Sequence, residues 1–274
     1  MMRKCSGKRF ISAHTVENEN MVIVGAGNLA TSLAVALKKA GLCPLAVWSR
    51  TSESAQALAA RVGCGFSTVI EELPQAAVVI IAVADAAFHT VARRVALHYP
   101  DALVLHTAGS IPMEALRDEG CNSYGVLYPM QTFSKGRIVD FTTVSTFIEG
   151  CNGDVTQHVQ AIAAALGGRV YNANSEQRRF LHLSAVFACN FTNALYAMSA
   201  QLLEANGLPF DAMLPLIDET AAKVHALHPR EAQTGPARRG DSAVMQRQMS
   251  MLSGELLDTY NLISEYIQKN INKK

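Results

Sequence analysis

The segment Gly25-Ala26-Gly27-Asn28-Leu29-Ala30 has residue types and a spacing that suit the binding of phosphate groups. It lies between an apolar run that begins at Met21 and an alanine-rich stretch, which predicts a turn from a buried strand into a helix. The first glycine permits a tight turn, the second lets a pyrophosphate approach, and free N–H groups at the helix start attract negative charge. The pattern predicts a dinucleotide site at Gly25, Gly27, Asn28 and Leu29, with a plain glycine turn as the alternative.

The residues after the second predicted strand, Leu45–Trp48, indicate which dinucleotide binds. An acidic residue at this place, about 20 residues after the glycine turn, would bind the ribose 2′-hydroxyl of NAD. The chain instead has Ser49, Arg50 and Thr51, whose hydroxyl and guanidinium groups suit a 2′-phosphate. We therefore expect NADP as the cofactor. The alternative is that Arg50 is only a solvated residue at a helix start.

Two further segments are expected to line the nicotinamide crevice, because ligands of open α/β sheets bind outside the carboxyl ends of the strands. One contains Val83, Ala84 and Asp85, and the other runs from His106 to Ser110. Val83, Ala84 and His106 are predicted cofactor contacts. Asp85 is predicted first as a helix N-cap, and His106 fits a buried structural histidine as well as a ligand contact.

Candidate catalytic groups occur in two other segments. Tyr128 lies in a polar run that extends to Gly136 and is expected to form a lip beside the substrate or the nicotinamide. In a later helix, His182 and Asn190 fall on adjoining parts of one face at about 100° per residue. His182 is the candidate acid, Asn190 would position the substrate, and Tyr128 or His106 are substitutes for the acid. The alternative is that His182 and Asn190 bond neighbouring helices in the core.

The elements that must position these groups follow from the hydrophobic pattern. From residue 21 to residue 173, short apolar runs alternate with helix-like stretches, which predicts a Rossmann-like α/β domain with a parallel sheet. Thr68 with Glu71 and, later, Asp154 are predicted helix caps. Residues 174–274 are predicted to be all helical, and residues 1–20 are interpreted as a disordered extension.

The composition excludes several other classes of protein. The 274 residues are 49% hydrophobic and 17% charged, which argues against disorder, and a net charge of +1 provides no broad basic surface for nucleic acid or an anionic membrane. No apolar run approaches the length of a membrane span. The six cysteines form no C-x-x-C pair, so we expect no metal site and a reducing, cytoplasmic location.

Six separated motifs together carry a resemblance to a known family. In chain order they are GAGNLA, WSRT, HTAGSIP, LYPMQTFSKG, HLSAVFACNFTNALY and TGPARRGD. The chain resembles NADP oxidoreductases with a Rossmann-like N-terminal half and a C-terminal helical domain of unknown function, similar to that of 6-phosphogluconate dehydrogenase. It is also similar in fold to pyrroline-5-carboxylate reductases and deazaflavin-dependent NADP reductases. The resemblance implies a homodimer built through the C-terminal helices, which would cover an apolar stripe that ends at Ile267.

The resemblance also implies an NADP-dependent oxidoreductase that transfers a hydride between NADP(H) and a small carbonyl or imine substrate. Hydroxyacid dehydrogenases of this fold place a lysine four residues before an asparagine, but Val186 has that position before Asn190. Lysine acid catalysis is therefore not expected, and the proton must come from another group. A non-catalytic, NADP-responsive sensor is the alternative, because the residues include no unmistakable proton donor.

Overall fold

The computed structural model describes residues 19–271 of the chain. The chain divides into two compact units, one that ends at Cys189 and one that begins at Asn190. The predicted N-terminal extension lies outside the described residues, apart from its last two positions. The helix that follows the predicted domain boundary at residue 173 belongs to the first unit.

The first unit is built on an eight-stranded sheet whose order is β3-β2-β1-β4-β5-β6-β7-β8. The strands are β1 (Met21–Val24), β2 (Ala46–Trp48), β3 (Gly65–Ser67), β4 (Val78–Ile81), β5 (Leu103–His106), β6 (Ser123–Met130), β7 (Ser145–Gly150) and β8 (Arg169–Asn172). The helices are α1 (Asn28–Lys39), α2 (Ser52–Val62), α3 (Phe88–His98), α4 (Glu114–Asp118), α5 (Gly153–Ala165) and α6 (Ser175–Ala185). This arrangement confirms the predicted Rossmann-like α/β fold.

Neighbouring strands run parallel except for β6 and β7, which pair antiparallel. The prediction of a parallel sheet is therefore wrong at this one pair. The connection between the two strands contains a short 3-10 turn and no crossover helix among its residues, so the chain returns directly beside β6.

A row of four paired residues marks one edge of the sheet. Val24 pairs with Ile81, Ile81 with His106, and His106 with Val126. These four strands run in the same direction. β1, β4 and β5 end at this row and β6 continues past it to Met130, so the residues that follow the row lie at the same edge of the sheet. The glycine turn and the other predicted ligand segments therefore start from one line across the sheet.

The core forms two layers because alternate residues of each strand point to opposite faces. In β1, Met21 and Ile23 pack with α1, α2 and α5, whereas Val22 and Val24 pack with α3 and α4. All four β1 residues are completely buried, as a central strand of a parallel sheet requires. The layers hold the sheet edge rigidly, and the site residues extend from that edge.

Two of the predicted helix caps differ in the structure. Asn152, and not Asp154, caps α5, since the Asn152 side chain accepts a hydrogen bond from the Val155 N–H, whereas Asp154 is already helical. The predicted box at Thr68 and Glu71 is also wrong. The short 3-10 turn there has no side-chain cap, and the Val69 N–H donates to the Ser67 hydroxyl instead.

The second unit consists of helices. A π-helical turn, Val186–Phe191, leads from α6 across the boundary between the units into α7 (Thr192–Glu204), and the remaining helices are α8 (Leu214–Ala226), α9 (Pro229–Ala232), α10 (Pro236–Arg239), α11 (Ser242–Met249) and α12 (Gly254–Tyr266). Neither α7 nor α8 has a buried residue. In the predicted stripe, Leu256, Tyr260 and Ile267 are half-buried, and Ile263 is exposed. Among residues 19–271, no helix has both the length and the hydropathy that crossing a bilayer requires.

Candidate active site

The glycine turn between β1 and α1 is fixed by close backbone contacts. Gly25 has a φ of +138°, and a Cβ atom at this position would lie 2.1 Å from the Ala82 carbonyl oxygen. The Gly25 N–H donates to the Trp48 carbonyl, which joins the turn to the end of β2. A side chain at residue 25 is therefore excluded by both conformation and space.

The start of α1 is open on the side where a phosphate would bind. A Cβ atom at Gly27 would have no heavy atom within 4 Å. Gly27 is also the N-cap of α1, it provides no side-chain cap, and the first turn of the helix contains no acidic residue. The first N–H groups of the helix, at Asn28 and Leu29, are therefore available to an anion, as dinucleotide binding requires.

The predicted lip lies beside the glycine turn. The side-chain amide of Asn28 donates a hydrogen bond of 3.2 Å to the carbonyl oxygen of Phe133, which is 105 residues later in the chain. The Phe133 ring packs against that of Phe141, which is buried in the core. The segment after β6 is thus tied to the start of α1.

The end of β2 presents a cationic and hydroxyl-rich surface. Arg50 and Thr51 are exposed, Ser49 is half-buried, and the Ser49 N–H donates to the Ser67 carbonyl at the end of β3. Arg50 has no ion-pair partner among the residues that the structure describes. These groups can receive a phosphate from solvent without first breaking an internal ion pair.

The segments after β4 and β5 are joined through their side chains. The hydroxyl of Ser110 donates a hydrogen bond to the carboxylate of Asp85. The preference for Asp85 as an N-cap is wrong, because the 3-10 turn Asp85–Ala87 includes this residue and begins after Ala84. Ala84 is exposed and Val83 is half-buried, so both face a surface that a ligand can reach.

His106 has no exposed surface, so its imidazole fits the buried structural alternative rather than a ligand contact. The Ala108 N–H donates to Nδ1 at 3.2 Å, which leaves the ring proton on Nε2. Burial and, to a smaller extent, the nearby positive charge of Arg178 together lower the pKa of His106 to about 3. His106 is therefore a neutral residue that supports the end of β5.

Tyr128 and His182 meet at the same sheet edge. The Tyr128 hydroxyl is 3.2 Å from Nδ1 of His182, and the two rings meet edge to face with centroids 6.2 Å apart. Tyr128 is buried, whereas His182 is exposed on α6. Burial raises the pKa of Tyr128, and the positive charge of Arg178 partly offsets this effect. The tyrosine therefore keeps its proton near neutral pH.

Gly109 lies in the segment after β5 and faces both rings of the Tyr128–His182 pair. The sequence pattern had not singled it out. A Cβ atom at Gly109 would lie 2.8 Å from Nδ1 of His182 and 2.9 Å from Cζ of Tyr128. The three residues are thus in mutual contact, and no residue larger than glycine fits between the two rings without a shift. The motif HTAGSIP contained this signal, because a glycine after a strand often marks close approach of the backbone to another group.

Asn190 lies in the π-helical turn Val186–Phe191 and is exposed. The wider i→i+5 turn changes the angular step of 100° per residue from which we expected Asn190 and His182 to share a face. Such turns are frequent at functional sites. The role of Asn190 in positioning a substrate stays a prediction.

A buried ion pair, Arg178 with Glu149, was also missed by the sequence reasoning. Arg178 is completely buried, while the next residue, Arg179, is exposed. The spacing along the helix could have identified Arg178, because it is four residues before His182 and the two residues therefore lie on the same face of α6. Across residues 19–271, no three His, Cys, Asp or Glu side chains lie close enough together to hold a metal ion.

Two family models match separate parts of the chain. Residues 8–98 match the model described as shikimate / quinate 5-dehydrogenase, and residues 144–267 match a domain of unknown function, DUF2520. A search of curated proteins found no significant match.

Solved structures resemble more than nine-tenths of the chain. A protein of Bacteroides fragilis that is described as a "putative NADP oxidoreductase" is 46% identical, with a TM-score of 0.88 over 93% of this chain and 100% of that one. A Thermotoga maritima protein, TM1727, is 24% identical over 92% of this chain and 98% of that one, with a TM-score of 0.70. An imine reductase from Myxococcus stipitatus, in complex with NADP+, is 17% identical over 92% of each chain, with a TM-score of 0.63. The last two matches show the shared fold.

Proposed function

Because the chain belongs to the NADP oxidoreductase family of the Bacteroides fragilis protein, we propose that it is an NADP-dependent oxidoreductase that transfers a hydride between NADP(H) and a small carbonyl or imine substrate. The observation that carries this proposal is the position of the Tyr128–His182 pair. The pair lies past the row that ends at Val126, on the same sheet edge as the open glycine turn. The groups that we propose for proton transfer and for dinucleotide binding thus lie at one edge of the sheet.

The residues at the β1 and β2 ends fit a phosphorylated dinucleotide. The free N–H groups of Asn28 and Leu29 and the open space at Gly27 would hold the pyrophosphate. Arg50, with Ser49 and Thr51, would hold the 2′-phosphate. When bound, NADPH supplies the hydride, so the protein itself must supply orientation and a proton.

We assign the proton to the Tyr128–His182 pair. The Tyr128 hydroxyl is protonated because of its raised pKa and lies 3.2 Å from Nδ1 of His182, and we assign the hydroxyl as the donor in this contact. In the tautomer that accepts this hydrogen bond, the imidazole carries its own proton on Nε2. We assign Nε2 as the donor to the carbonyl oxygen or imine nitrogen that the hydride leaves negatively charged. As Nε2 loses its proton, the Tyr128 hydroxyl passes its own proton to Nδ1. A proton from solvent then binds Nε2 of the exposed imidazole while the Nδ1 proton returns to Tyr128, which restores the pair. Asn190 is the residue proposed to orient the substrate. In the oxidation direction the same atoms accept the proton.

Titration of NADPH and NADH into the wild type and Arg50→Ala tests the cofactor assignment. Loss of a charge-assisted contact should weaken NADPH binding by about 10- to 100-fold and leave NADH binding unchanged. Arg61→Ala, an exposed arginine on α2, is the matched control and should change neither affinity. Equal loss for both dinucleotides in Arg50→Ala would remove the 2′-phosphate assignment, and absence of binding in the wild type would remove the proposed function.

A screen of small carbonyl and imine substrates then tests catalysis. We expect turnover with NADPH that falls strongly in His182→Ala. Full turnover in that variant would remove His182 as the acid. Binding of NADPH without turnover of any substrate, together with a change of oligomeric state, would favour the non-catalytic sensor.

We further propose a homodimer formed through the second unit. Large apolar side chains of this unit are exposed, including Leu195, Leu202, Leu214, Leu216, Val224, Leu262 and Tyr266. Only Ala237, Met245 and Ser264 are buried among its described residues. A second copy of the same chain is the occupant that supplies a matching apolar surface, because twofold interfaces pair a patch with itself.

We also propose a cytoplasmic location. Cys43, Cys64, Cys121 and Cys189 carry free thiols. Free thiols persist in reducing compartments. Fractionation of the cells that produce the protein would test the location, and recovery outside the cytoplasm would overturn it.

A further inference from the structure

Arg178 is a completely buried cation in the first turns of α6. A buried guanidinium is strongly unfavourable unless other groups pair with it and accept its hydrogen bonds. Arg179, the next residue, is exposed, so the sequence contains two adjacent arginines in opposite environments. The contacts of Arg178 must therefore offset the free energy that burial of its charge costs.

The guanidinium contacts three separate parts of the chain. Its Nη1 donates to Oε2 of Glu149, at the end of β7, over 2.5 Å. Its Nη2 donates to the Ile111 carbonyl, in the segment after β5, over 2.6 Å and to the Ser175 hydroxyl over 3.3 Å. Arg178 thus joins a strand, a loop and the start of its own helix.

Ser175 completes this network. Its hydroxyl donates to Oε2 of Glu149 over 2.9 Å and accepts from the Met113 N–H over 2.9 Å. Its own N–H donates to Oε1 of Glu149 over 3.1 Å. Both carboxylate oxygens of Glu149 are therefore occupied, and the N-terminus of α6 is bound to β7 and to the segment after β5.

The same three parts of the chain surround the Tyr128–His182 pair. His182 lies one helical turn after Arg178 on α6. Gly109, which contacts both rings, lies two residues before Ile111. Glu149 is two residues from Phe147, so both point to one face of the sheet, and Phe147 is the direct cross-strand neighbour of Tyr128.

We propose that Arg178 is a positioning residue, whose buried contacts with Glu149, Ser175 and the Ile111 carbonyl hold α6 at the place where His182 meets the Tyr128 hydroxyl. This inference rests on the proposed function for the value of that contact, but the contact itself exists without cofactor or substrate. Arg178 touches neither ring through a hydrogen bond, and it acts through α6 and the segment after β5. The hydrogen bonds of Arg178 and Ser175 reach both β7 and the segment after β5, on either side of the Tyr128–His182 pair. A shift of α6 relative to β6 must therefore break some of these hydrogen bonds.

Nuclear magnetic resonance of the imidazole nitrogens tests this role in the free protein. In the wild type, Nδ1 of His182 should have the chemical shift of a hydrogen-bonded nitrogen, and Tyr128→Phe should define the shift without that bond. Arg178→Lys should move the His182 signals towards those of Tyr128→Phe, since one ammonium cannot reproduce the fork of contacts. Arg179→Lys is the matched control and should leave them unchanged.

Ser175→Ala is the second variant, in case Arg178→Lys does not fold. It removes the bridging hydroxyl but retains the capping box of Asn174 and Gln177 that starts α6. We expect a partial movement of the His182 signals in the same direction. Wild-type His182 signals in a folded Arg178→Lys, or in Ser175→Ala if Arg178→Lys is unfolded, would overturn the proposal.

Kinetics separate this role from general loss of stability. Displacement of a catalytic group by about 1 Å costs roughly 100-fold in rate, so Arg178→Lys should lower kcat by about that factor. The affinity for NADPH should stay within about twofold, because the glycine turn lies outside the network. A parallel loss of NADPH affinity and kcat would overturn positioning in favour of a structural role. Movement of the His182 signals in a protein that turns over no substrate would retain the positioning role and refute only the proposed function.

Discussion

The Tyr128 hydroxyl and Nδ1 of His182 are 3.2 Å apart although 54 residues separate them in the chain. Tyr128 is in a strand of the sheet and His182 is in the helix that follows the last strand. Their contact links a buried hydroxyl, which keeps its proton, to an exposed imidazole, which can exchange one. This contact is the basis of the proton path that we propose between Tyr128, His182 and a ligand.

Tyr128→Phe should lower turnover while leaving the dinucleotide bound. The change removes the donor to His182 and keeps the ring that packs on Phe147, so we expect a loss of about 10²- to 10⁴-fold in kcat, as for other acid–base groups. Steady-state kinetics and NADPH titration measure the two effects. Tyr171→Phe, a partly exposed tyrosine in the same aromatic row, is the control and should retain activity. Unchanged kcat in Tyr128→Phe would contradict the assigned proton path.

Gly27→Ala should weaken NADPH binding and leave the fold intact. The added methyl group meets no protein atom within 4 Å, and Gly27 has a φ of −75°, which alanine adopts easily. The methyl would instead occupy space that we assign to the pyrophosphate, so we expect at least a tenfold loss of affinity, or about 1.4 kcal/mol. Thermal unfolding should change by less than about 1 kcal/mol. Gly153→Ala, also in open space at a helix start, should affect neither property.

His106 should make the protein less stable at acidic pH. Its pKa is about 3 in the folded protein against 6.5 for a free histidine, so the unfolded chain binds a proton that the folded one does not. Because of this residue, the free energy of unfolding should therefore fall by about 1.4 kcal/mol for each unit by which the pH is lowered from 6.5 to 3. Above pH 6.5, the full contribution of His106 to stability is present.

Denaturant unfolding at a series of pH values measures this slope. His106→Asn should flatten it by about one proton, because the amide oxygen can still accept from the Ala108 N–H but does not titrate. His225→Asn, at an exposed histidine of α8, should keep the wild-type slope. An unchanged slope in His106→Asn would show that His106 is protonated or accessible in the folded state.

Leu216→Glu should convert the proposed dimer to a monomer. Leu216 is 62% exposed on α8, and a charge there would be buried without a partner in an interface formed by this helix. Light scattering with size-exclusion chromatography measures the mass. Leu97→Glu, at a leucine of α3 that is 79% exposed, is the control and should leave the dimer intact. A wild-type protein that is monomeric at micromolar concentration would refute the dimer.

Local patterns in the chain were sufficient for most of the first unit. The run that begins at Met21 and the alanine-rich stretch predict a strand over residues 21–25 and a helix over residues 29–40, each within one residue of β1 and α1 at both ends. This works because hydrophobic periodicity and turn chemistry act over a few neighbouring residues. The strand β3 escaped prediction, since its three residues include an exposed phenylalanine and follow no apolar run. A strand was predicted at residues 143–148, where β7 lies, but its antiparallel direction was not, because strand direction depends on the route of the connecting chain.

The candidate residues illustrate the same division. Gly27 and Arg50 were identified from type and spacing, since each follows directly from its position after a strand. The sequence also contained His106, Tyr128 and His182, but it did not distinguish the buried histidine from the exposed one.

Contacts between residues that are distant in the chain decided which of the candidate residues come together. Tyr128 contacts His182, and Arg178 contacts Glu149, only because β6, β7 and α6 are packed side by side. Burial and electrostatic environment depend on residues that are distant in the chain. The amino-acid pattern alone therefore identifies only the candidate residues. The packed structure selects which of them meet, which are screened from water, and which keep a proton.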